Sequence, residues 1–308
     1  MGCEPGAENI SLKDPIRSML PDTLKYSYYP GCSLKGTARD YADSIKGVCR
    51  FLGLELEEIP DWNCCGATAA HSIDQKAAIT LAGRNLIQAA GLPHKEMLVP
   101  CPLCFNRLKT AVHALKQDLE NQYPIILPES VPILQDLADF MASEKLIEVL
   151  TQKTRKPLEG LKVVCYYGCM SSRPPEITGA RDFENPQSLD RIVSALGGIA
   201  LPWPYKTDCC GASHSISLKD LEEGLVKKIL DMAGRCGAQA VVVSCQMCQA
   251  NLDMYPIRTG GRPKGSPALP VLYFTELIGL ALGVKGTGNW LSRHLIDPRP
   301  LLRGLGLL

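Results

Sequence analysis

The chain has 308 residues, of which 45% are hydrophobic and 21% charged, and its formal net charge is +1. This length predicts about two domains, and the near-neutral charge gives no basic surface of the kind that binds nucleic acid. The most apolar stretch, residues 271–284, is too short to cross a bilayer and contains Glu276. We therefore expect a cytoplasmic protein with no membrane span of its own. Its cysteines should be reduced, since residues 1–22 carry no charged-then-apolar signal segment.

Short β-branched runs alternate with stretches of helical apolar spacing along most of the chain. This alternation predicts an α/β fold with largely parallel sheets. Strands are predicted at residues 24–29, 54–59, 97–99, 161–167, 198–201 and 240–243, and helices at 40–52, 74–90, 131–150, 189–196 and 218–235. Pro174-Pro175 and the Gly/Pro-rich residues 258–270 are predicted loops.

A polar stretch at residues 151–160 predicts a boundary between two domains. We expect an N-terminal extension at residues 1–24, a first domain at 25–155 and a second domain at 156–283. Residues 284–308 form a weakly patterned tail, to which the sequence assigns no role.

Ten of the fourteen cysteines form two copies of one pattern: a single cysteine, then Cys-Cys-Gly, then Cys-x-x-Cys. The copies lie about 140 residues apart, with 31 and 35 residues between the three parts of the first copy and 39 and 34 in the second. Flanking residues repeat too, which indicates duplication of a structural unit. The first quintet is Cys32, Cys64, Cys65, Cys101 and Cys104, and the second quintet is Cys169, Cys209, Cys210, Cys245 and Cys248.

Five thiolates at one point make a soft, negative site that suits an iron-sulfur cluster. A single zinc ion takes four ligands, so it would leave one cysteine of each quintet without a role. Two alternatives stay open: a scaffold with zinc at one site, and a thioredoxin-like dithiol, which would use two cysteines per half. Every motif cysteine stands at or near a predicted strand end, so the metal sites are expected at strand-helix junctions.

Other residues near the motifs have both a functional and a simpler structural interpretation. His71 and His214 recur at similar places and are candidates to hydrogen-bond a cluster or a substrate, or else to cap the following helix. The basic residues near the motifs are interpreted as solvated charges, with contact to an anionic substrate as the alternative; they are Arg107, Arg173 and Lys206. Four cysteines do not repeat in register, and buried hydrophobic roles are the default for them; they are Cys3, Cys49, Cys165 and Cys236.

Through its two motifs the chain resembles the CCG-domain family of cysteine-rich proteins, and within it the B subunits of heterodisulfide reductases. The resemblance covers about residues 26–283. It implies two pseudo-repeated CCG domains, each with a noncubane [4Fe-4S] cluster held by one quintet. It also implies an oxidoreductase component that reduces or forms a disulfide between the two clusters. The longer N-terminal extension and tail, together with the glycine after each Cys-Cys pair, leave the identity of that disulfide open.

The sequence also predicts partners. It contains no ferredoxin-type cysteine run and no Gly-x-Gly-x-x-Gly fingerprint, so another protein of a complex should deliver the electrons. The resemblance implies a ferredoxin-like C subunit with cubane [4Fe-4S] clusters and, beyond it, a flavin-containing A subunit or a membrane cytochrome. The alternative function is a CCG protein without its own substrate, which relays electrons between a flavoprotein and a quinone-linked partner.

Overall fold

The structure, a computed structural model, describes residues 24–67, 70–118, 120, 122–259 and 268–308. Cys3 and nearly all of the predicted N-terminal extension lie outside the described residues. The described chain forms two four-stranded parallel sheets, one in each half. The predicted α/β class with largely parallel sheets is therefore confirmed.

The first sheet is built from β1 (Leu24–Tyr28), β2 (Leu54–Glu58), β3 (Glu96–Val99) and β4 (Ile133–Asp136). Its strand order is β2-β1-β3-β4. The helices of this half are α1 (Cys32–Lys35), α2 (Arg39–Leu52), α3 (Ala70–Ile73), α4 (Gln75–Ala90), α5 (Pro102–Lys116), α6 (Leu137–Met141) and α7 (Glu144–Lys153).

The second sheet is built from β5 (Lys162–Tyr166), β6 (Ile199–Ala200), β7 (Ala240–Val243) and β8 (Val271–Tyr273). Its order, β6-β5-β7-β8, repeats that of the first sheet. The helices are α8 (Pro175–Thr178), α9 (Ser188–Ala195), α10 (Lys219–Arg235), α11 (Gln246–Arg258), α12 (Phe274–Leu282), α13 (Thr287–Leu291) and α14 (Arg299–Gly304), with a 3-10 turn at Ala212–His214. The two halves thus share one topology. The exact domain bounds, 25–155 and 156–283, stay a prediction.

Strand composition explains why the central strands of each sheet are mostly buried on both faces. All four residues of β7, an alanine followed by three valines, are buried, which is typical of central strands in parallel sheets. In the first half, Gly53 ends α2 with a left-handed φ of 76°, and β2 begins at the next residue. One hydrophobic core runs through both halves, and a smaller second core lies within the first half.

The six predicted strands are confirmed, and no strand end differs from its prediction by more than one residue. The helix predicted at residues 131–150 is wrong, because β4, α6 and α7 occupy that region. Asp136 ends the strand, and its carboxylate accepts from the backbone N–H groups of Ala138 and Asp139, at 2.9 and 3.2 Å, so that a new helix begins. The loop predicted at Pro174-Pro175 is also wrong in part, since α8 begins at Pro175. Residues 260–267 of the other predicted loop lie outside the described residues.

The tail at residues 284–308 joins the two halves, a role that its weak pattern does not predict. Trp290 in α13 lies against Gly47 of α2 and Gly279 of α12. A Cβ at either glycine would come within 2.8 or 2.6 Å of the indole ring, so only glycine permits this approach. Within the part of the chain that the structure describes, every helix is too short or too polar to traverse a bilayer.

Candidate metal centres

The ten motif cysteines follow the carboxyl ends of strands. In the first half the three parts of the motif come after β1, β2 and β3, and in the second half after β5, β6 and β7. Because the strands of each sheet are parallel, these ends lie along one edge of the sheet. The expected position of the cysteine groups at strand-helix junctions is confirmed.

The sulfurs of the first quintet meet in contacting pairs. Cys65 Sγ lies 3.3 Å from Cys104 Sγ, and Cys64 Sγ lies 3.8 Å from Cys32 Sγ. The backbone N–H of Cys104 donates to Cys101 Sγ over 3.4 Å. Three loops that are distant in sequence therefore place their sulfurs in one cluster.

The second quintet repeats this geometry. Cys210 Sγ lies 3.5 Å from Cys248 Sγ, the equivalent of the Cys65–Cys104 pair. The backbone N–H of Gly211 donates to Cys209 Sγ at 3.3 Å, as that of Gly66 does to Cys64 Sγ at 3.5 Å. The glycine of each Cys-Cys-Gly thus donates a backbone hydrogen bond to the sulfur of the first cysteine of the pair.

A glycine before each single cysteine leaves room for the sulfurs. Gly31 and Gly168 adopt left-handed φ values of 74° and 67°. A Cβ at Gly31 would lie 3.0 Å from Cys104 Sγ, and one at Gly168 would lie 3.0 Å from Cys248 Sγ. Both the backbone conformation and the space therefore require glycine at these positions.

A tyrosine at each strand end holds the loop that carries the Cys-Cys pair. The hydroxyl of Tyr29 donates to Asn63 O at 2.8 Å, and that of Tyr166 donates to Asp208 O at 2.7 Å. Asn63 and Asp208 directly precede the two pairs. The sequence pattern predicted no role for these tyrosines, although each stands three residues before the single cysteine of its copy.

Hydrogen bonds among the sulfurs shift the pKa values of neighbouring thiols in opposite directions. The bond with Cys104 lowers the pKa of Cys65 to about 4, whereas hydrogen bonds to Cys101 and Cys65 raise the pKa of Cys104. In the second quintet the bond with Cys169 lowers the pKa of Cys209 to about 6. Each quintet thus has a sulfur whose hydrogen bonds favour the thiolate, which is the form that ligates metals.

Burial differs among the sulfurs. Cys32, Cys64 and Cys209 are exposed, and Cys169 is half-buried. The remaining motif cysteines are buried, namely Cys65, Cys101, Cys104, Cys210, Cys245 and Cys248. Each centre therefore reaches the surface at its single cysteine and at the first member of its Cys-Cys pair.

A cavity of about 490 Å³ lies against the second quintet, and all five cysteines of that quintet line it. The first half contributes lining residues from the loops and helix that carry its own motif, including Ala67, Pro102 and Leu103. The sulfurs of the first quintet are not among the described lining residues. The cavity therefore opens directly onto the second centre and reaches the loops around the first.

Apart from its cysteines, the cavity has a cationic side chain in its lining, the guanidinium of Arg107. His71, His214 and Arg107 line it, and the described lining residues include no carboxylate. Burial, together with the neighbouring Arg107, lowers the pKa of His71, so this imidazole is neutral at pH 7. Arg107 Nε is buried and has no hydrogen-bond partner among the described residues. The α4 helix is capped by Asp74, so the interpretation of His71 as its cap is wrong.

The other two basic residues near the motifs have protein partners. Lys206 is buried and pairs with Asp190 over 2.9 Å, so the interpretation of Lys206 as a solvated charge is wrong. Arg173 donates to Thr207 Oγ1 at 3.1 Å. Among these three, Arg107 alone lines the cavity.

The described cysteines outside the motifs lie apart from the two quintets. Cys49 and Cys165 are buried in the hydrophobic core, and burial raises the pKa of the Cys49 thiol to about 12. Cys236 is partly exposed at the end of α10. The buried hydrophobic role fits Cys49 and Cys165 but not Cys236.

Comparison with known proteins agrees with the repeated motif. The cysteine-rich CCG domain matches twice, at residues 26–109 and 163–253. These two segments contain both quintets and span both sheets up to their third strands.

Among the relatives is the 8-methylmenaquinol:fumarate reductase membrane anchor subunit of Wolinella succinogenes. It is 31% identical over 281 residues, which cover 90% of this chain and 99% of the relative. The B subunit of the ferredoxin:CoB-CoM heterodisulfide reductase of Methanosarcina mazei is 26% identical over 270 residues, which cover 84% of this chain and 89% of the relative. Both alignments run through nearly the whole of each relative.

A solved structure has the same fold. The crystal structure of a hypothetical protein from Helicobacter pylori superposes with a TM-score of 0.68 at 11% identity. The match covers 93% of this chain but only 58% of that chain. The chain belongs to the family of cysteine-rich CCG-domain proteins and is related to the B subunits of heterodisulfide reductases and to fumarate reductase anchor-type subunits.

Proposed function

We propose that this chain is the iron-sulfur component of a heterodisulfide reductase-type complex and that a disulfide is reduced, or formed, in the cavity beside the second quintet. The observation that carries the proposal is the cavity of about 490 Å³, lined by all five cysteines of the second quintet and by the first half. The relatives are subunits of oxidoreductase complexes. A site for a small molecule that directly touches five sulfur donors fits a redox reaction better than a structural role.

The donor set supports a cluster of several irons at each quintet. Zinc binds four thiolates at tetrahedral corners, so its sulfurs would lie about 3.8 Å from one another. Among the described residues, no three motif sulfurs lie within 4.8 Å of one another. Each quintet offers five sulfur donors with pairwise contacts rather than four around one point, which suits a noncubane [4Fe-4S] cluster. Zinc at one site is the less favoured alternative.

When bound, such clusters supply single electrons. Reduction of a disulfide consumes two electrons and two protons and yields two thiols, so two centres in one chain match the stoichiometry. This chain's residues bind and orient the disulfide. Arg107 offers a cation to an anionic group, and the neutral His71 accepts or donates a hydrogen bond within the cavity. We therefore infer that the substrate is an anionic disulfide.

Electrons must reach the chain from a partner. Cys32 and Cys64, on the first centre, are exposed and lie outside the cavity lining. We propose that a ferredoxin-like protein with cubane clusters docks there, since one relative is named as part of a ferredoxin:CoB-CoM heterodisulfide reductase. A flavin-containing protein of the complex or a membrane cytochrome would supply that partner in turn.

Anaerobically purified protein tests the proposal. We expect about eight irons and matching acid-labile sulfide per chain. An anionic disulfide or thiol, added to the oxidised protein, should change the EPR signal of the second centre. Zinc without labile sulfide would exclude both the reductase and any relay, and an iron-loaded protein whose spectrum ignores thiols and disulfides would exclude the disulfide reaction alone.

A second candidate function is an electron relay with no substrate of its own, between a flavoprotein and a quinone-linked partner. It is favoured by the exposure of sulfurs on both centres, Cys32 and Cys64 on one and Cys209 on the other, which offers two docking points. A relative at 31% identity is named a membrane anchor subunit of a menaquinol:fumarate reductase. Rapid reoxidation of the reduced protein by a menaquinone analogue in the presence of its partners, with no turnover of disulfides, would favour the relay.

A further inference from the structure

One side chain of the second half reaches a sulfur of the first quintet. Gln246 lies between Cys245 and Cys248, at the beginning of α11, and its side chain is buried. Its amide Nε2 donates to Cys101 Sγ over 2.8 Å, across a sequence separation of 145 residues. The two Cys-x-x-Cys segments therefore meet, and their contact is a hydrogen bond to a proposed ligand.

The orientation of this amide follows from the chemistry of its neighbour. A metal-bound thiolate accepts hydrogen bonds and cannot donate one, so the NH₂ group rather than the carbonyl faces Cys101. The Gln246 carbonyl oxygen is buried and has no hydrogen-bond partner among the described residues. A buried polar atom without a partner costs free energy. The protein tolerates this cost because the NH₂ group of the same amide donates to Cys101 Sγ.

The contact is not symmetric between the halves. The position equivalent to Gln246 in the first Cys-x-x-Cys is Pro102, whose side chain has no donor. In the described part of the chain, no side chain of the first half donates a hydrogen bond to a sulfur of the second quintet. A sequence that repeats closely around its cysteines thus differs at a position whose side chain reaches from one motif to a sulfur of the other.

We propose that Gln246 is a positioning residue that raises the reduction potential of the first centre relative to the second. This inference rests on the proposed iron-sulfur function. A cluster gains negative charge on reduction, and an N–H group aimed at a ligating sulfur stabilises that charge. The effect is strong here because the bond is short and lies in a buried, low-dielectric environment. Gln246 thereby gives two centres with the same ligand set different reduction potentials, so that an added electron favours the first centre.

The test is an anaerobic redox titration of the cluster-loaded protein, followed by EPR, with the second centre identified by its loss in Cys209→Ser. In Gln246→Leu we expect the first centre to become harder to reduce by about tenfold in the one-electron equilibrium constant, which corresponds to ~59 mV. In Gln246→Glu the shift should be larger, because a carboxylate replaces the donor. The matched control Met247→Leu, at the next position, should leave the first centre unchanged.

A measurement on the unaltered sequence covers the case in which a variant fails to load. With ¹⁵N-labelled glutamine, pulsed EPR of the reduced first centre should detect a ¹⁵N coupling from the side-chain amide. An iron-loaded Gln246→Leu protein with an unchanged potential, or the absence of that coupling, overturns the inference and leaves the proposed function intact. A protein with no iron would instead overturn the proposed function.

Discussion

The ring of Tyr41 in α2 stacks on the ring of Tyr273 at the end of β8, with centroids 4.1 Å apart and planes 4° from parallel. The hydroxyl of Tyr41 donates to Pro100 O at 3.2 Å, one residue before Cys101. Next to the stack, the hydroxyls of Ser44 and Thr275 share a hydrogen bond of 2.6 Å. These contacts between the two halves thus extend to the end of β3, which is followed by Cys101 of the first quintet.

Removal of this stack should weaken the whole protein. Tyr41→Ala leaves a large buried cavity, so we expect the free energy of unfolding to fall by about 3–5 kcal/mol. Tyr41→Phe keeps the ring and loses the bond to Pro100, which should cost about 1 kcal/mol. Denaturant titration of anaerobic, cluster-loaded protein, followed by circular dichroism, measures both. Equal stability of the alanine variant and the parent chain would show that the halves do not depend on this contact.

Gly168 should be required for loading of the second centre. In Gly168→Ala the new Cβ would lie 3.0 Å from Cys248 Sγ, at a φ of 67° that alanine rarely adopts. We expect iron at the second centre to be lost while the first keeps its own. Gly179→Ala is the matched control, since Gly179 has a φ of 78° and nothing within 4 Å of its Cβ position. The control should lose about 1–2 kcal/mol of stability and no iron; loss of iron from both variants would indicate general strain.

The quintets should account for all of the iron. In Cys210→Ala, which removes a buried sulfur 3.5 Å from Cys248, the iron content should fall from about eight to about four per chain. Cys236→Ala, at a cysteine outside the motifs, should keep the full content. Iron and labile-sulfide assays on anaerobically purified proteins make the comparison. Retention of all iron in Cys210→Ala would remove that sulfur from the ligand set.

The cysteine groups could be located from the sequence, because their pattern is local and occurs twice. The motif parts follow strands whose apolar runs are readable, and the parallel topology then brings the strand ends together. The sequence pattern does not indicate the short edge strands β4 and β8, because a strand of three or four residues next to a helix shows no period of its own. The end of β4 at Asp136 cannot be recognised from the sequence, because it lies within a run of helix-forming residues.

The contacts between the two halves could not be predicted from the sequence. The bond from Gln246 to Cys101 depends on how two separately folded sheets pack, and no local pattern encodes that packing. Arg107 and Lys206 look alike in sequence, yet one lines the cavity and the other pairs with Asp190. The burial of charged side chains follows from the tertiary structure, whereas the spacing of ligands follows from the chain itself.

Arg107 should determine the charge preference of the cavity. In Arg107→Met an apolar chain of similar length replaces the guanidinium, so we expect binding of an anionic disulfide to weaken about tenfold or more, since a hydrogen bond to a charged group contributes about 1.5–3 kcal/mol. Binding of a neutral disulfide should change little. Lys109→Met, two residues further along α5 and outside the cavity lining, is the control. Titration of the EPR signal of the second centre gives both affinities; parallel weakening of neutral and anionic ligands would point to a collapsed cavity instead.

A buried ion pair at the joint between the halves should make stability depend on pH. His294 Nε2 lies 2.9 and 3.0 Å from the two carboxylate oxygens of Glu276. Burial opposes the charge on His294, but the ion pair with Glu276, helped by Asp253 and Asp40, outweighs it and raises the pKa of His294 to about 9. Burial likewise raises the pKa of Glu276, against the opposing effect of His294.

Because the folded-state pKa of His294 exceeds its ordinary value of 6.5, its stabilising contribution is complete below pH 6.5 and is lost as the pH rises through about 9. Deprotonation then leaves the carboxylate of Glu276 buried without its cation. We expect cluster-loaded protein to lose on the order of 3 kcal/mol between pH 7 and pH 10, measured by anaerobic denaturant titration at each pH. His294→Gln should be less stable than the parent at pH 7 and should show a much smaller decline over the same range. A decline of the same size in both proteins would assign the pH dependence to other groups.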